Sequence, residues 1–303
     1  MTQTELAALN DLLAIPGVAS VVSDQSGLPK LDITTPAANA EIYLHGAHVT
    51  SWQPAGFDEI LFVSKLSHFE DGKAIRGGIP ICFPWFRAKA DNPKAPAHGF
   101  VRTREWKLES IAQDAANVVV ALTTASDDST RAWWPFDFRA THRITVGTSL
   151  KLELIVENTG SEGFQFEEAL HTYNRVSDSS SIRISGLDEA TYLDNRNNNA
   201  MKVQSGDIRF TTATDNAYVE TGDAVTIHDA GLNRSIRLEK RSSLTTVVWN
   251  PWSGGAAAFA DMDDSEWREF ACVEASNILS AGVILQPDQS HIITANITVF
   301  TGA

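Results

Sequence analysis

Short runs in which every second residue is apolar, separated by turns, fill the chain beyond its first twenty residues, and few architectures accommodate that pattern. "LKLELIVEN" (150–158) sets Leu150, Leu152, Leu154 and Val156 against Lys151, Glu153, Ile155 and Glu157. Successive side chains of a strand point to opposite faces, so this strand has one side that must be covered. "ANVVVALTT", "FRATHRITV", "SIRISG", "AVTIHD", "SIRLEKR", "TTVVWN", "REFACVEAS", "AGVILQP" and "HIITANITVF" repeat the theme. "NTGSEG" (158–163) reads as a turn and "FQFEEALHTY" (164–173) as the return strand of a hairpin. Helical periodicity is confined to the N-terminus. There "MTQTELAALNDLLAIPGVAS" reads as a short amphipathic helix ended at Ile15-Pro16-Gly17.

Many short strands without βα alternation predict an all-β protein, a large antiparallel β-sandwich preceded by a short helix. No internal repeat or low-complexity linker divides the chain, so residues 1–303 read as a single β domain with 1–18 as an N-terminal helical extension. That length exceeds an immunoglobulin-sized sandwich severalfold, which calls for large, curved sheets and a concave face able to take a small molecule.

With a formal net charge of -14 and a pI of about 4.9, the chain repels nucleic acid and anionic lipid surfaces, so neither is an expected partner. Cys82 and Cys272 make no disulfide framework, and no Cys/His cluster suggests zinc. The N-terminus lacks a signal-peptide pattern and no apolar run is long enough to cross a bilayer, so the sequons at Asn233 and Asn296 carry no expected meaning. The expectation is a soluble cytoplasmic protein, monomeric, with a small-molecule partner.

One segment reverses the charge. Residues 71–104, "DGKAIRGGIPICFPWFRAKADNPKAPAHGFVRTR", carry Lys73, Arg76, Arg87, Lys89, Lys94, Arg102 and Arg104 against Asp71 and Asp91, seven positive minus two negative, or +5. Its Gly and Pro content predicts ordered loop. Lysines on polar loops, such as Lys89 and Lys94, are ordinarily solvated. Arg76 in "IRGGIP" and Arg102 in "HGFVR" adjoin glycine and apolar residues, where anion binding and structural pairing are equally open.

Alternation along 164–173 puts Gln165, Glu167, Ala169, His171 and Tyr173 on one face, and Phe164, Phe166, Glu168, Leu170 and Thr172 on the other. His171 thus shares a polar face, as a cleft-lining histidine would, although a hydrogen-bonded structural imidazole fits the pattern as well. Glu274 in "REFACVEASN" sits in an apolar strand, where ionisation is expensive and its pKa should rise toward the range of a general base. A strand-end glutamate bonded to a neighbour remains open. Asp215 in "TATDNAYVE" reads equally as a turn residue. On a strand, His45 and His48 fall on opposite faces, which argues against a shared metal. No G-x-S-x-G, P-loop or G-x-G-x-x-G is present. "VWNPW" (248–252) and "RAWWPF" (131–136) hold tryptophans that suit either a sugar-stacking platform or the core, the core being the commoner fate.

"IRGGIPICFPWF", "AHGFVRTREW", "EEALHTY…VSD", "GL…YLD", "VVWNPW" and "CVEASN", in this order, resemble the hexose-6-phosphate mutarotases, or glucose-6-phosphate 1-epimerases, a branch of the aldose 1-epimerase family. The resemblance runs from "HGAHVTSWQP" to the C-terminal strands. It implies a galactose mutarotase-like supersandwich with its active site on the concave face, no cofactor and no metal. It implies interconversion of the α and β anomers of a hexose 6-phosphate. By motif position it implies that His171 is the general acid and Glu274 the general base, that Arg76 and Arg102 contact the sugar phosphate, that Asp215 contacts a sugar hydroxyl, and that His98 lies beside the site. Four positions depart from the family's usual wording: "PWFR" places Arg87 where glycine is usual, "HTYN" replaces HTYF, "ATDNAY" differs around Asp215, and Ala97 stands where some members have a substrate-touching glutamine. These departures bear on substrate preference. The chemistry calls for an imidazolium and a carboxylate together, and their proximity should stabilise both charges. A mutarotase for unphosphorylated aldoses and a non-catalytic sugar-phosphate-binding protein remain the alternatives.

Overall fold

The computed structural model describes residues 1–222 and 224–302. Every named strand pair in it is antiparallel, as the alternating runs require. One eight-stranded sheet runs, in spatial order, Arg183–Ser185, Val225–Asp229, Arg234–Arg241, Ser290–Thr301, Ser149–Asn158, Phe138–Val146, Asn117–Ala125 and Lys107–Asp114. The second runs Ala200–Val203, Thr191–Asp194, Thr214–Val219, Thr245–Asn250, Phe270–Asn277, Glu168–Leu170 and Ile81–Cys82, with Tyr173–Arg175 also pairing to Phe270–Asn277. A four-stranded meander, Ala19–Ser23, Pro29–Thr34, Ala38–Tyr43 and His48–Pro54, precedes them.

The sheets share one core. Leu152, Leu154, Val156, Ile293, Ala295 and Ile297 from the first sheet pack in one cluster with Leu170, Val248, Ala271, Val273 and Ala275 from the second. Strand alternation then fixes what the other face of the second sheet carries: Val247, Trp249, Cys272 and Glu274. The apolar half of these strands anchors them in the sandwich, and the remaining half is free to build a site.

At the N-terminus, helix Gln3–Leu13 starts with a capping box in which the Glu5 N–H donates to the Thr2 hydroxyl and the Thr2 N–H to the Glu5 carboxylate (2.6 Å). Asn10 exchanges two 2.7 Å hydrogen bonds with the Val21 backbone and ties the helix to the first strand.

The hairpin expected at 150–173 does not form. Ser149–Asn158 pairs with Phe138–Val146 and Ser290–Thr301, and the chain leaves the first sheet at the turn. Asn158 makes the corner: its amide donates to the carbonyls of Glu162 (2.9 Å) and Leu285 (3.1 Å), and its side-chain oxygen accepts from the Gly160 N–H (3.0 Å). Nor is 164–173 one strand. It divides into Phe164–Phe166, paired with Val283–Leu285, then Glu168–Leu170 and Tyr173–Arg175, both paired with Phe270–Asn277. Glu168, on the core side, is fully buried and bonded to His291 (2.9 Å) and Asn277 (2.8 Å).

Candidate active site

A cavity of about 350 Å³ opens on the outer face of the second sheet, at the lower end of the ~300–1,000 Å³ typical of small-molecule sites. Sheet register brings its central pair together. Leu170 lies opposite Ala275 and Tyr173 opposite Cys272, so the same register sets His171 against Glu274. Nδ1 of His171 is 3.3 Å from Oε1 of Glu274. His171 is 7% exposed and Glu274 0%. Nδ1 and both carboxyl oxygens have no hydrogen-bond partner among the described residues, although unpaired buried polar atoms are costly. The imidazole is held by rings instead: it stacks on Tyr173 at 4.7 Å and 7°, with Trp249 and His98 edge-on at 5.9 and 5.8 Å.

Burial pushes the Glu274 carboxyl well above the usual carboxylate range, and the Asp215 charge adds to the rise against Arg87 and Arg102. Burial likewise pushes His171 well below the usual imidazole range, and Arg102 and Arg76 push it further. The rise at Glu274 agrees with the sequence expectation. The expected mutual support of imidazolium and carboxylate does not prevail: desolvation acts on both groups in the opposite sense and favours the uncharged form of each.

Loops from the basic island form one wall. Gly77, at φ +116°, packs so closely that a Cβ would meet the Phe62 carbonyl oxygen at 2.3 Å. Gly99, at φ +75°, would place a Cβ 1.8 Å from the Phe83 carbonyl oxygen. These contacts set the loops that carry Arg76, His98 and Arg102. His48 Nε2 lies 2.7 Å from the Gly77 carbonyl, to which it donates, so a histidine considered only as a metal ligand buttresses the Arg76 loop. His45 bonds separately to the Lys73 carbonyl (2.6 Å).

Arg76 donates to Asp261 (3.2 Å) and to the Tyr173 hydroxyl (3.2 Å), with its guanidinium 4.6 Å from the Phe259 ring centre. Arg102 donates to the Ala97 carbonyl (2.9 Å), and its buried Nε has no partner among the described residues. Ala97 thus acts through its backbone. His98 Nδ1 accepts from the Arg87 N–H (3.2 Å), which leaves the proton of a neutral imidazole on Nε2. Arg87 pairs with Asp215 (2.5 Å), whose second oxygen accepts from Asn195 (2.5 Å). Of the other basic-island residues, Lys73, Lys89 and Arg104 pair with Glu70, Asp91 and Asp127, and Lys94 is exposed.

His171, Glu274, Arg76, Arg102, Asp215, His98 and Ala97 all line this one cavity. Sequence reasoning did not single out Asn195, Tyr173, Phe259 or Asp261. Tyr173 alone carried a signal, its place two residues from His171. The tryptophans divide: Trp249 lines the cavity, while Trp134 is buried in the core and Trp252 packs on Trp267.

Ligand atoms of His171, Cys272 and Glu274 lie within 4.8 Å of one another. The electrostatics oppose a cation there: burial pushes the Cys272 thiol well up, and Arg76 and Arg102 face the same space. The arrangement suits proton transfer and anion recognition within one cavity. Among the described residues, no helix is long and apolar enough to cross a membrane.

Comparison with known proteins finds relatives over most of the chain. Residues 29–298 match the family described as Aldose 1-epimerase. An Escherichia coli K12 relative named "Putative glucose-6-phosphate 1-epimerase" is 32% identical over 290 residues, covering 94% of this chain and 97% of the relative. A Salmonella typhimurium crystal structure, described with the same qualifier as a mutarotase, superposes with a TM-score of 0.89 at 31% identity, covering 96% of each chain. A galactose mutarotase-like protein from Clostridium acetobutylicum shares the fold, with a TM-score of 0.72 at 18% identity over 93% of this chain and 98% of that one.

Proposed function

The chain belongs to the aldose 1-epimerase family, and on that premise we propose that it interconverts the α and β anomers of a hexose 6-phosphate, with Glu274 as base and His171 as acid. In the opening half-reaction Glu274 takes the proton of the C1 hydroxyl and His171 protonates the ring oxygen. The C1–O5 bond breaks, the aldehyde forms, and rotation about C1–C2 presents its other face. Closure then runs the same proton transfers in reverse, with the two roles exchanged. No electrons leave the sugar, and the chemistry needs no redox group.

The demand on the protein is modest because the reaction proceeds in water unaided. Acid and base contributions of about 10²–10⁴-fold each, with positioning, are sufficient. Arg76 and Arg102 would hold the phosphate, and a group remote from C1 would then orient the reacting ring. Asp215 and His98 are suited to sugar hydroxyls. The observation that carries this reading is the His171–Glu274 pair at 3.3 Å, without a hydrogen-bond partner among the described residues for Nδ1 or either carboxyl oxygen, in the same cavity as the two arginines.

A coupled assay tests it: freshly dissolved α-glucose 6-phosphate is followed into a dehydrogenase that accepts only the β anomer. Enzyme-dependent acceleration is expected, and a rate equal to spontaneous anomerisation refutes the proposal. One observation favours a second reading, a mutarotase for unphosphorylated aldoses, because Arg76 is already paired with Asp261. Polarimetry with glucose in place of its 6-phosphate separates the two.

A further inference from the structure

One guanidinium group, Arg76, is tied to the acid and not to the base, and a second, Arg102, lines the cavity that holds both. Arg76 reaches His171 through one ring: its Nη1 donates to the Tyr173 hydroxyl, and the Tyr173 ring stacks on the imidazole. Arg102 lines the same cavity, and among the described residues no carboxylate lies within 4 Å of it. His171 and Glu274 can share one proton in two ways, as imidazole with carboxylic acid or as imidazolium with carboxylate. Only the second holds an acid on the ring-oxygen side and a base on the hydroxyl side. The Arg76 guanidinium, one ring away from His171, opposes it.

We propose that the anionic tail of the substrate is also an activator: an anion bound at Arg76 and Arg102 offsets their charge and lets the shared proton pass from Glu274 to His171. One O–H bond breaks, one N–H bond forms and the proton count is unchanged. This inference rests on the function proposed above and deepens it, because the phosphate becomes part of the proton-transfer device as well as a handle. The other titratable groups facing His171 are Cys272 beside Glu274, Tyr173 beneath the ring, and His98 and His48 from neighbouring elements. None of them changes charge when an anion binds at neutral pH, since burial keeps the thiol and phenol protonated and both histidines neutral. At an effective dielectric of about 20, neutralising a unit charge about 10 Å away changes a proton equilibrium by roughly tenfold.

The test supplies the substrate in two pieces. Xylose keeps the pyranose ring, C1 and O5 but lacks the phosphorylated carbon, and inorganic phosphite supplies the anion. The parent protein is assayed polarimetrically with saturating xylose, with and without phosphite, over a range of pH, and with glucose 6-phosphate as the control. The inference expects phosphite to raise kcat for xylose at least about tenfold and to move the alkaline limb of the profile up by about one pH unit. Arg102→Met, checked for folding by its thermal transition, should lose the phosphite response, and Arg76→Met supplies the same readout if the first variant does not fold. Turnover of glucose 6-phosphate with no phosphite effect on xylose overturns this inference and leaves the proposed function standing. Acceleration without movement of the alkaline limb also overturns it, because phosphite would then only order the site. No turnover of glucose 6-phosphate removes both.

Discussion

Replacing Glu274 with glutamine should cost activity and add stability, and the two effects share one cause. The carboxyl is completely buried, has no hydrogen-bond partner among the described residues, and is pushed well above the usual carboxylate range by burial and by Asp215. An acid whose folded pKa is raised weakens the fold as pH climbs from its unfolded value toward its folded one, because the unfolded chain ionises first. Below about pH 4.5 the group is protonated in both states and the penalty vanishes. Above that, the penalty grows by about 1.4 kcal/mol for each pH unit until the folded carboxyl also ionises. Glutamine has nearly the same shape and does not ionise, so the variant escapes the penalty.

Glu274→Gln should therefore melt close to the parent near pH 4.5–5 and above it at pH 7–8. Each kcal/mol is worth about 2–4 °C in a chain somewhat smaller than this one. His171, which burial displaces in the opposite direction, is present in both proteins and cancels to first order. Thermal unfolding at the two pH values measures the stability arm. The coupled anomerisation assay measures the catalytic arm, where kcat should fall at least about a hundredfold. A variant less stable than the parent at pH 7.5, or a melting difference that does not change with pH, would show that Glu274 is not a strained buried acid. Activity within tenfold of the parent would remove it as the base.

The remaining expectations concern the rest of the cavity. His171→Ala should lower kcat at least about a hundredfold while the circular dichroism spectrum keeps its β signature, and near-normal anomerisation would remove the assigned acid. Arg102→Ala should raise KM for glucose 6-phosphate far more than for glucose, and equal effects in polarimetry would mean that the arginine does not hold phosphate. Gly99→Ala should destabilise the fold by about 3 kcal/mol or more in chemical denaturation, because its backbone is left-handed and the Cβ would overlap the Phe83 carbonyl; a loss below about 1 kcal/mol would mean that the loop yields easily.

The alternation that defines the sandwich was legible because burial on one face leaves a period of two in the chain. The same rule put Cys272 and Glu274 on one side of their strand, while His171 and Tyr173, expected on one face of a single strand, meet by ring stacking across the break between Glu168–Leu170 and Tyr173–Arg175. What no period encodes is register. Nothing in "EEALHTY" says that residue 171 falls opposite residue 274, because that depends on Tyr173 pairing with Cys272 a hundred residues away. The misread hairpin has the same origin. "NTGSEG" announces a turn, and whether the next strand returns to its own sheet or crosses to another is decided by Asn158 bonding to the Leu285 carbonyl. Electrostatics was hidden more deeply still. Proximity suggested a charged pair, whereas full burial, visible only once both sheets are assembled, acts the other way on each partner. Asp261 and Asn195 sit in stretches with no motif, and their partners Arg76 and Asp215 are far along the chain.

Three arginines and two aspartates give the cavity its field, and the imbalance falls on one residue. Arg87 has Asp215 and Arg76 has Asp261, so each of those charges has a carboxylate partner within the fold. Among the described residues Arg102 has only the Ala97 carbonyl, and burial pulls its guanidinium down where Tyr173 and Asp261 push Arg76 up against the same burial. A partly buried charge without an ion-pair partner is unfavourable, and its persistence points to a compensating interaction. An anionic ligand is the simplest such interaction, and the unpaired guanidinium also accounts for how a chain of net charge -14 could accept one. At about 8 Å of screening length in physiological salt the distant carboxylates are muted, while the unbalanced guanidinium is met at contact range. Selectivity for a phosphorylated sugar would then come less from the number of basic residues in the 71–104 segment than from this one, which has no carboxylate partner among the described residues.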